Sequence, residues 1–443
     1  MKKLVCLIIS LILIGSVGFS QNLTKGKNEV NIPTGDGLDG YEGILANKSL
    51  KKRNISGQLY LPGACKNKKF PAVIIQHGLG GSNTQWYPKL AQYLNKNGIA
   101  ALVPDSLSSR GLGFRRSMLL SKANRLYDTF ASFRYLQKVK CIDSKRVGIT
   151  GYSLGGTIAI DVVESNLAKK LGNGNVFKAS LPVYPSCHAN FIKTRPTNTV
   201  VHILAAGADD WTPASQCIET VKKKRAKNWN IRITVLKGAH HGFNNDFPPT
   251  KKTDRWHFKE CGYNVIDEKG VETNKKYGMS TSMGWKNMMM AGVKKCGRRG
   301  VTIGGTPQLV NKTLKFTANF FNENLKIVSA LKAGFKKLSL DQRKQIQTVL
   351  SNAGYYKSTI DGLYGKNTEN GLKSYNLKIL GGLNLEKSDA VSQLIQKILE
   401  WQNIKAKQEI TIILEVAGVV GFEPTVHGIK TRGYCYQELS GFS

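Results

Sequence analysis

Three short stretches carry residues able to do nucleophilic chemistry together. In "VGITGYSLGG", Ser153 stands between Gly151 and Gly155 after a β-branched run; "HILAAGADDWTP" supplies Asp209 and Asp210; "VLKGAHHGFNND" supplies His240 and His241. A serine hydroxyl is a poor nucleophile at neutral pH. It needs a base, an acid to orient that base, and donors for the oxyanion that develops on the substrate. A G-x-S-x-G turn between strand and helix exposes the hydroxyl and aims the helix N-terminus at the developing charge. The expected oxyanion donors are the backbone N–H of Leu154 and that of Leu79 in "QHGLGG". His77 in the same loop is expected to brace it. Tyr152 and Trp211, beside the nucleophile and the acid, are candidate substrate contacts. The chemistry implied is acyl transfer, which calls for no metal or organic cofactor. No C-x-x-C or His cluster has zinc-site spacing.

These residues need a framework that brings strand ends together. From about residue 55 to 325 the sequence alternates strand-like and helix-like blocks, which predicts an α/β sheet. The candidate strands are "GQLYLP", "PAVIIQH", "IAALVPD", "RVGITG", "ASLPVYP", "VVHILAAG" and "IRITVLK". Several are continuous apolar runs, as parallel strands covered on both faces require. Helices are predicted over 118–139, 154–171 and 307–322. The carboxylates and imidazoles each follow a strand, in the order Ser, Asp, His of the α/β-hydrolases. Residues 245–300, rich in Gly, Lys and Asn, are expected as a long surface loop; an excursion near the active-site face, stapled by Cys261 and Cys296, is the other reading. Asp105 and Arg110 in "DSLSSRG" are expected to form an internal ion pair.

The 443 residues allow two or three domains. The chain opens "MKKLVCLIISLILIGSVGFSQN", with Lys2 and Lys3 before an apolar run from Leu4 to Val17 and small residues at Gly18 and Ser20. That pattern predicts a signal peptide over 1–20, an exported protein, and no stable membrane span after cleavage. Export makes disulfides permissible among Cys65, Cys141, Cys187, Cys217, Cys261 and Cys296, with Cys187–Cys217 the first expected pair. The net charge of +36 is spread along the chain with no recognition helix or aromatic platform, so a nucleic-acid partner is not expected. An anionic envelope surface fits this charge better, and a plain Lys-rich composition bias fits it as well.

Residues 21–54 read as a lead-in, 326–337 as a linker, and 338–403 as a compact helical module. The stretch 404–443 reads as a tail that belongs to neither unit. Its "GFEP", back-translated, resembles the T-arm of a tRNA gene, so the reading frame is expected to have run through such a gene; His427 and Cys435 are left out of the site.

The motifs "QHGLGG", "DSLSSRG", "GYSLGG", "DDWTPASQC" and "GAHHGF" together resemble the dienelactone hydrolase family of α/β-hydrolases. The resemblance implies an α/β-hydrolase fold with a mostly parallel sheet and helices on both faces. It implies Asp209 as the acid, four residues before Pro213, and His241 as the base, directly before Gly-Phe. Founding members of that family carry a cysteine nucleophile, and Ser153 places this chain with the serine branch. The run "IQTVLSNAGYYKSTIDGLYGKNTENGLKSY" resembles the peptidoglycan-binding-like domain, which implies contact with cell-wall glycan. The expected function is an exported, periplasmic or envelope-associated serine hydrolase acting on small-molecule or envelope esters. An amidase or peptidase on envelope material and a non-catalytic envelope-binding protein are the alternatives.

Overall fold

The computed structural model describes residues 23–65, 69–326, 330–383, 385 and 389–401, and the chain divides into two units after residue 326. The expected signal peptide and tail lie outside the described residues.

The first unit is built on strands β1 (Gly26–Asp36), β2 (Lys51–Leu61), β3 (Phe70–Gln76), β4 (Ala100–Pro104), β5 (Ile142–Tyr152), β6 (Ala179–Val183), β7 (Ala189–Phe191), β8 (Val200–Ala206) and β9 (Ile231–Leu236). Eight of them form one sheet in the order β1-β2-β4-β3-β5-β6-β8-β9. The run from β4 to β9 is parallel, while β1 and β2 are antiparallel to their neighbours. All seven candidate strands lie in this sheet. The eighth, β1, comes from the stretch expected as a lead-in and pairs with β2 along its whole length.

Helices α1 (Tyr41–Leu45), α2 (Trp86–Lys96), α3 (Lys122–Lys138), α4 (Leu154–Asp161), α5 (Ser165–Leu171), α6 (Ala214–Arg225), α7 (Trp285–Lys295) and α8 (Pro307–Asn324) complete the unit. Alternate residues of β3 feed two apolar layers, because successive side chains of a strand point to opposite faces. Ile74 packs with Phe130 and Phe133 of α3 and Ile158 of α4; Val73 and Ile75 pack with Leu90 and Leu94 of α2 and Leu314 and Phe321 of α8. The helix predicted over 118–139 begins later, at Lys122, because Ser121 caps it by accepting from Asn124 N–H at 3.0 Å. The predicted 154–171 helix is two helices, broken at residues 162–164.

Residues 245–300 are not a surface loop. They form β10 (Thr250–His257), β11 (Asn264–Ile266), β12 (Glu272–Asn274), β13 (Met279–Ser280) and α7, and return along β14 (Arg298–Ile303). Strands β10 and β14 pair antiparallel, and β13-β12-β11-β7 form a second small sheet. The disulfide Cys261–Cys296 closes this excursion, Cys187–Cys217 joins the end of β6 to α6, and Cys65–Cys141 joins the segments before β3 and β5. The expected Asp105–Arg110 pair is not formed. Arg110 instead bridges Asp36 and Asp128, while Asp105 accepts from Ser82, Leu107 and Ser108 and so folds its own turn.

The second unit includes α9 (Ala330–Lys336), α10 (Leu340–Asn352), α11 (Lys366–Ile379) and a helical stretch at 389–401. The linker expected at 326–337 thus contains a helix, and its Leu331 and Phe335 belong to this unit's core. Buried Gln347 organises the glycine-containing loop. Its amide donates to Asp361, Leu363 and Thr368, and its oxygen accepts from Gly362 N–H at 2.7 Å.

Candidate active site

Ser153 sits where β5 ends and α4 begins, with φ 57° and ψ −120°. Non-glycine residues avoid such a conformation, at a cost of about 1–3 kcal/mol, so the surrounding structure must impose it. The neighbouring glycines are required by close approach. A Cβ at Gly151 would lie 2.0 Å from the Gly155 carbonyl oxygen, and one at Gly155 would lie 2.2 Å from that of Gln76. The turn is therefore wedged against β3 and the loop beyond it. That loop is held by His77, whose Nδ1 meets the Gly78 carbonyl at 2.7 Å and whose Nε2 accepts from Ser106 N–H at 3.1 Å. Burial, with the charge of nearby Arg125, pushes His77 down to about 4, so the ring is neutral at pH 7 and braces the loop.

The loops after β8 and β9 bring the other two side chains to the serine. His241 Nε2 lies 3.0 Å from Ser153 Oγ, and His241 Nδ1 lies 2.9 Å from Asp209 Oδ2. Asp209 Oδ1 accepts from the backbone N–H of Trp211 at 2.9 Å and of Thr212 at 2.8 Å. Burial works against ionisation of Asp209, but the His241 ring and these hydrogen bonds outweigh it and hold the carboxyl below its ordinary range. Asp210 and His240 take no part in this constellation. Asp210 turns away to accept from Thr302 N–H and Oγ1 at 2.8 and 2.9 Å, which ties the loop to β14. The same strand holds the histidine loop, since Gly304 N–H donates to the His241 carbonyl at 3.0 Å.

Two residues of the constellation have no motif of their own. Thr212 Oγ1 lies 3.0 Å from Asp209 Oδ2 and 3.1 Å from His241 Nδ1, a third polar contact on the acid–base pair. Tyr184 lies 4.6 Å, centroid to centroid, from the His241 ring, and its hydroxyl donates to Asn244. The only signal for Thr212 was its place in "DDWTP", and for Tyr184 its place at the end of an apolar strand.

A cavity of roughly 160 Å³ opens at Ser153, lined also by Leu79, Leu154, Trp211 and Thr212. Leu154 is the first residue of α4, so its amide is among the first-turn donors that no helical carbonyl reaches. Trp211 lies beside His241, ring centroids 4.7 Å apart and tilted by 43°, and lines the cavity. Tyr152 does not. It is buried on the other side of the turn among Trp86, Tyr87 and Tyr184, because side chains alternate along β5 and this position points into the core. The far wall comes from the excursion: Trp256, Phe258, Met279, Trp285 and Met288. Trp285 fixes that wall to the main body, its indole N–H donating to the Met118 carbonyl at 2.8 Å.

A mostly parallel sheet, a serine elbow at the end of its central strand, and an aspartate and a histidine after β8 and β9 define an α/β-hydrolase fold. Residues 55–265 match the model of the dienelactone hydrolase family. Among curated proteins, Protein usf of Aquifex pyrophilus is 24% identical over 131 residues, 28% of this chain and 54% of that protein, so the chain spans about half the length of the relative it matches. Among solved structures, a candidate dienelactone hydrolase of Klebsiella pneumoniae subsp. pneumoniae is 18% identical with a TM-score of 0.36, covering 49% of this chain and 89% of that one. A thermophilic esterase of Thermogutta terrifontis, Est2, is 15% identical with a TM-score of 0.35, covering 43% and 79%.

Proposed function

We propose that this chain is a serine hydrolase that cleaves carboxylic esters through an acyl-Ser153 intermediate. The observation that carries the reading is the continuous Ser153–His241–Asp209 hydrogen-bond line, with 3.0 and 2.9 Å links, at a cavity that Ser153 lines. His241 Nε2 takes the Ser153 proton as Oγ bonds to the ester carbonyl carbon. The oxyanion is received by the Leu79 and Leu154 amides. Collapse of the tetrahedral adduct breaks the bond to the alcohol, which leaves with the proton from His241. Water, deprotonated by the same imidazole, then attacks the acyl-enzyme and releases the acid. Asp209 holds the Nδ1–H tautomer and stabilises the imidazolium.

Export to the periplasm or envelope is part of the same reading. It is supported by the leader-like N-terminus and by three disulfides, which persist in oxidising compartments. The second unit would then hold the enzyme at cell-wall glycan. The test is hydrolysis of short- and medium-chain p-nitrophenyl esters by the mature chain, beside folded Ser153→Ala. Activity lost in the variant is the expected result. A folded parent inert toward esters but active on amides of envelope material, or an equally active variant, would displace the esterase reading.

A further inference from the structure

The cavity at Ser153 has polar lining that the proposed reaction does not use: Ser186, His188 and Gln216. All three stand on one brace, because the disulfide Cys187–Cys217 joins the residue between Ser186 and His188 to the neighbour of Gln216. Thr157, one turn into the helix that Ser153 heads, fixes this brace to the nucleophile. Its Oγ1 accepts from Ser186 N–H and donates to the Ser186 carbonyl, both at 3.1 Å, while its own N–H donates to the Ser153 carbonyl at 3.0 Å. The polar groups are therefore held at a set place relative to the reacting oxygen.

Their protons decide what they bind. Burial, with the Lys122 charge, pushes His188 down to about 4, so the ring is neutral at pH 7. Nδ1 lies 2.5 Å from Ser186 Oγ, and Nε2 faces Glu272 Oε1 at 4.0 Å, too far to bond it. A lone pair on Nε2 would point at a carboxylate, so the proton sits there and Ser186 donates to Nδ1. The His188 side chain is 26% exposed and lines the cavity, so this unspent N–H is within reach of a ligand. Beside it Ser186 Oγ keeps its lone pairs, and the half-buried Gln216 amide, which bonds nothing among the described residues, offers a donor and an acceptor. Donors and acceptors side by side fit hydroxyl groups, which are both at once.

The excursion gives the same cavity a different surface, with Trp256, Phe258 and Trp285, and also Lys259. Lys259 makes an anionic ester the rival occupant, but no hydrogen bond or ion pair among the described residues fixes its ammonium in place. A sugar ring matches both the braced polar groups and the aromatic ones, having hydroxyls around its edge and C–H groups on its faces. At roughly 160 Å³ the cavity admits one six-membered ring, since about 150 Å³ holds benzene.

We propose that Ser186, His188 and Gln216 form a hydroxyl-binding subsite beside Ser153, and that the esters cleaved are those of a single sugar ring. This rests on the esterase reading of Ser153. The experiment compares kcat/KM, from released acid, for methyl glucopyranoside acetylated on its exocyclic oxygen, cyclohexylmethyl acetate and cyclohexylmethyl hemisuccinate. The first two carry the same ester on a six-membered ring with and without hydroxyls. The parent is expected to prefer the sugar ester by about tenfold or more, the size of one or two net hydrogen bonds. In His188→Phe/Gln216→Leu, with folding checked by near-UV circular dichroism, that ratio falls toward one. A parent ratio near one, a ratio unchanged in the folded double variant, or a preference for the hemisuccinate, which would hand selection to Lys259, overturns the proposal while leaving the serine mechanism intact. Calorimetric binding of the sugar ester and of cyclohexylmethyl acetate to Ser153→Ala asks the same question without turnover and without touching the subsite. Tighter binding of the sugar ester is expected there. Equal binding overturns the subsite, whereas a parent that hydrolyses no ester sinks the esterase reading instead.

Discussion

Replacing Asp209 by Asn tests the constellation at its most discriminating point. In the parent, Oδ1 accepts two backbone N–H groups and Oδ2 faces His241 Nδ1 at 2.9 Å. The two backbone donors cannot be turned away, so an Asn must keep its oxygen toward them and present its NH2 to Nδ1. That reverses the hydrogen bond. The imidazole is forced into the Nε2–H tautomer, which has no lone pair to accept the Ser153 proton across 3.0 Å. Loss of the Nδ1–H tautomer in a serine triad costs about 10⁴-fold in kcat, and a similar loss is expected here with KM nearly unchanged. The assay is steady-state hydrolysis of a p-nitrophenyl ester, with folding checked by near-UV circular dichroism. Asp210→Asn is the control, because Asp210 binds Thr302 and not His241; it should lower stability by about 1–2 kcal/mol and keep kcat within about tenfold. A folded Asp209→Asn enzyme that keeps more than a tenth of parental kcat, or an Asp210 variant that loses more than the Asp209 one, would refute this assignment of the acid.

Three other parts of the first unit carry expectations of their own. Burial raises Asp161 from 3.8 to about 6, so the folded state holds this proton after the unfolded state has lost it. Stability is then lost as pH rises from about 4 to beyond 6; acidifying from pH 7 to 5 should restore about 1 kcal/mol in urea titrations, a gain that Asp161→Asn should abolish. Removing Cys261–Cys296 as a Ser pair should cost about 3–4 kcal/mol by the loop-entropy model for its 35-residue separation, and should lower kcat/KM because the cavity wall loosens; unchanged thermal unfolding and kinetics would contradict both. Gly155→Ala puts a methyl 2.2 Å from the Gln76 carbonyl, so it should abolish folding or activity, and a variant with parental kcat would show that the elbow is less constrained than its contacts require.

The main sheet was readable because several of its parallel strands are apolar runs bounded by turn residues, and the serine, acid and base follow within a few residues of the ends of β5, β8 and β9. Choosing Asp209 and His241 over their neighbours needed the family's spacing; the structure shows the physical difference, since Asp210 is spent on Thr302. Strand β1 was missed because it is an edge strand of alternating polarity that contains Pro33. The excursion stapled by Cys261 and Cys296 was legible only as the second reading behind a surface loop, and none of its elements was, for a different reason. Its strands β11, β12 and β13 have two or three residues each, too few to show a period, and β11 pairs with β7 across more than 70 positions of sequence. Trp285 and Met288 therefore looked like loop residues although they wall the cavity. Tyr152 was misread because adjacency to a nucleophile in sequence is opposition in a strand: one residue earlier is the other face.

The excursion leaves the main body after His241 and returns beside it. Gly304 N–H meets the His241 carbonyl at 3.0 Å, and Gly305 N–H meets that of Phe247 at 2.8 Å, so the stem has backbone rungs at its base, to which Asp210 on Thr302 and the Cys261–Cys296 disulfide add side-chain ties. The backbone rungs themselves ask nothing of the side chains between. Because the entropy of closing a loop grows only slowly with its length, segments of quite different size and composition fit the same stem at similar cost. The sheet and its serine can therefore stay constant while the wall facing the substrate is exchanged whole, which separates the inheritance of the reaction from the inheritance of its selectivity.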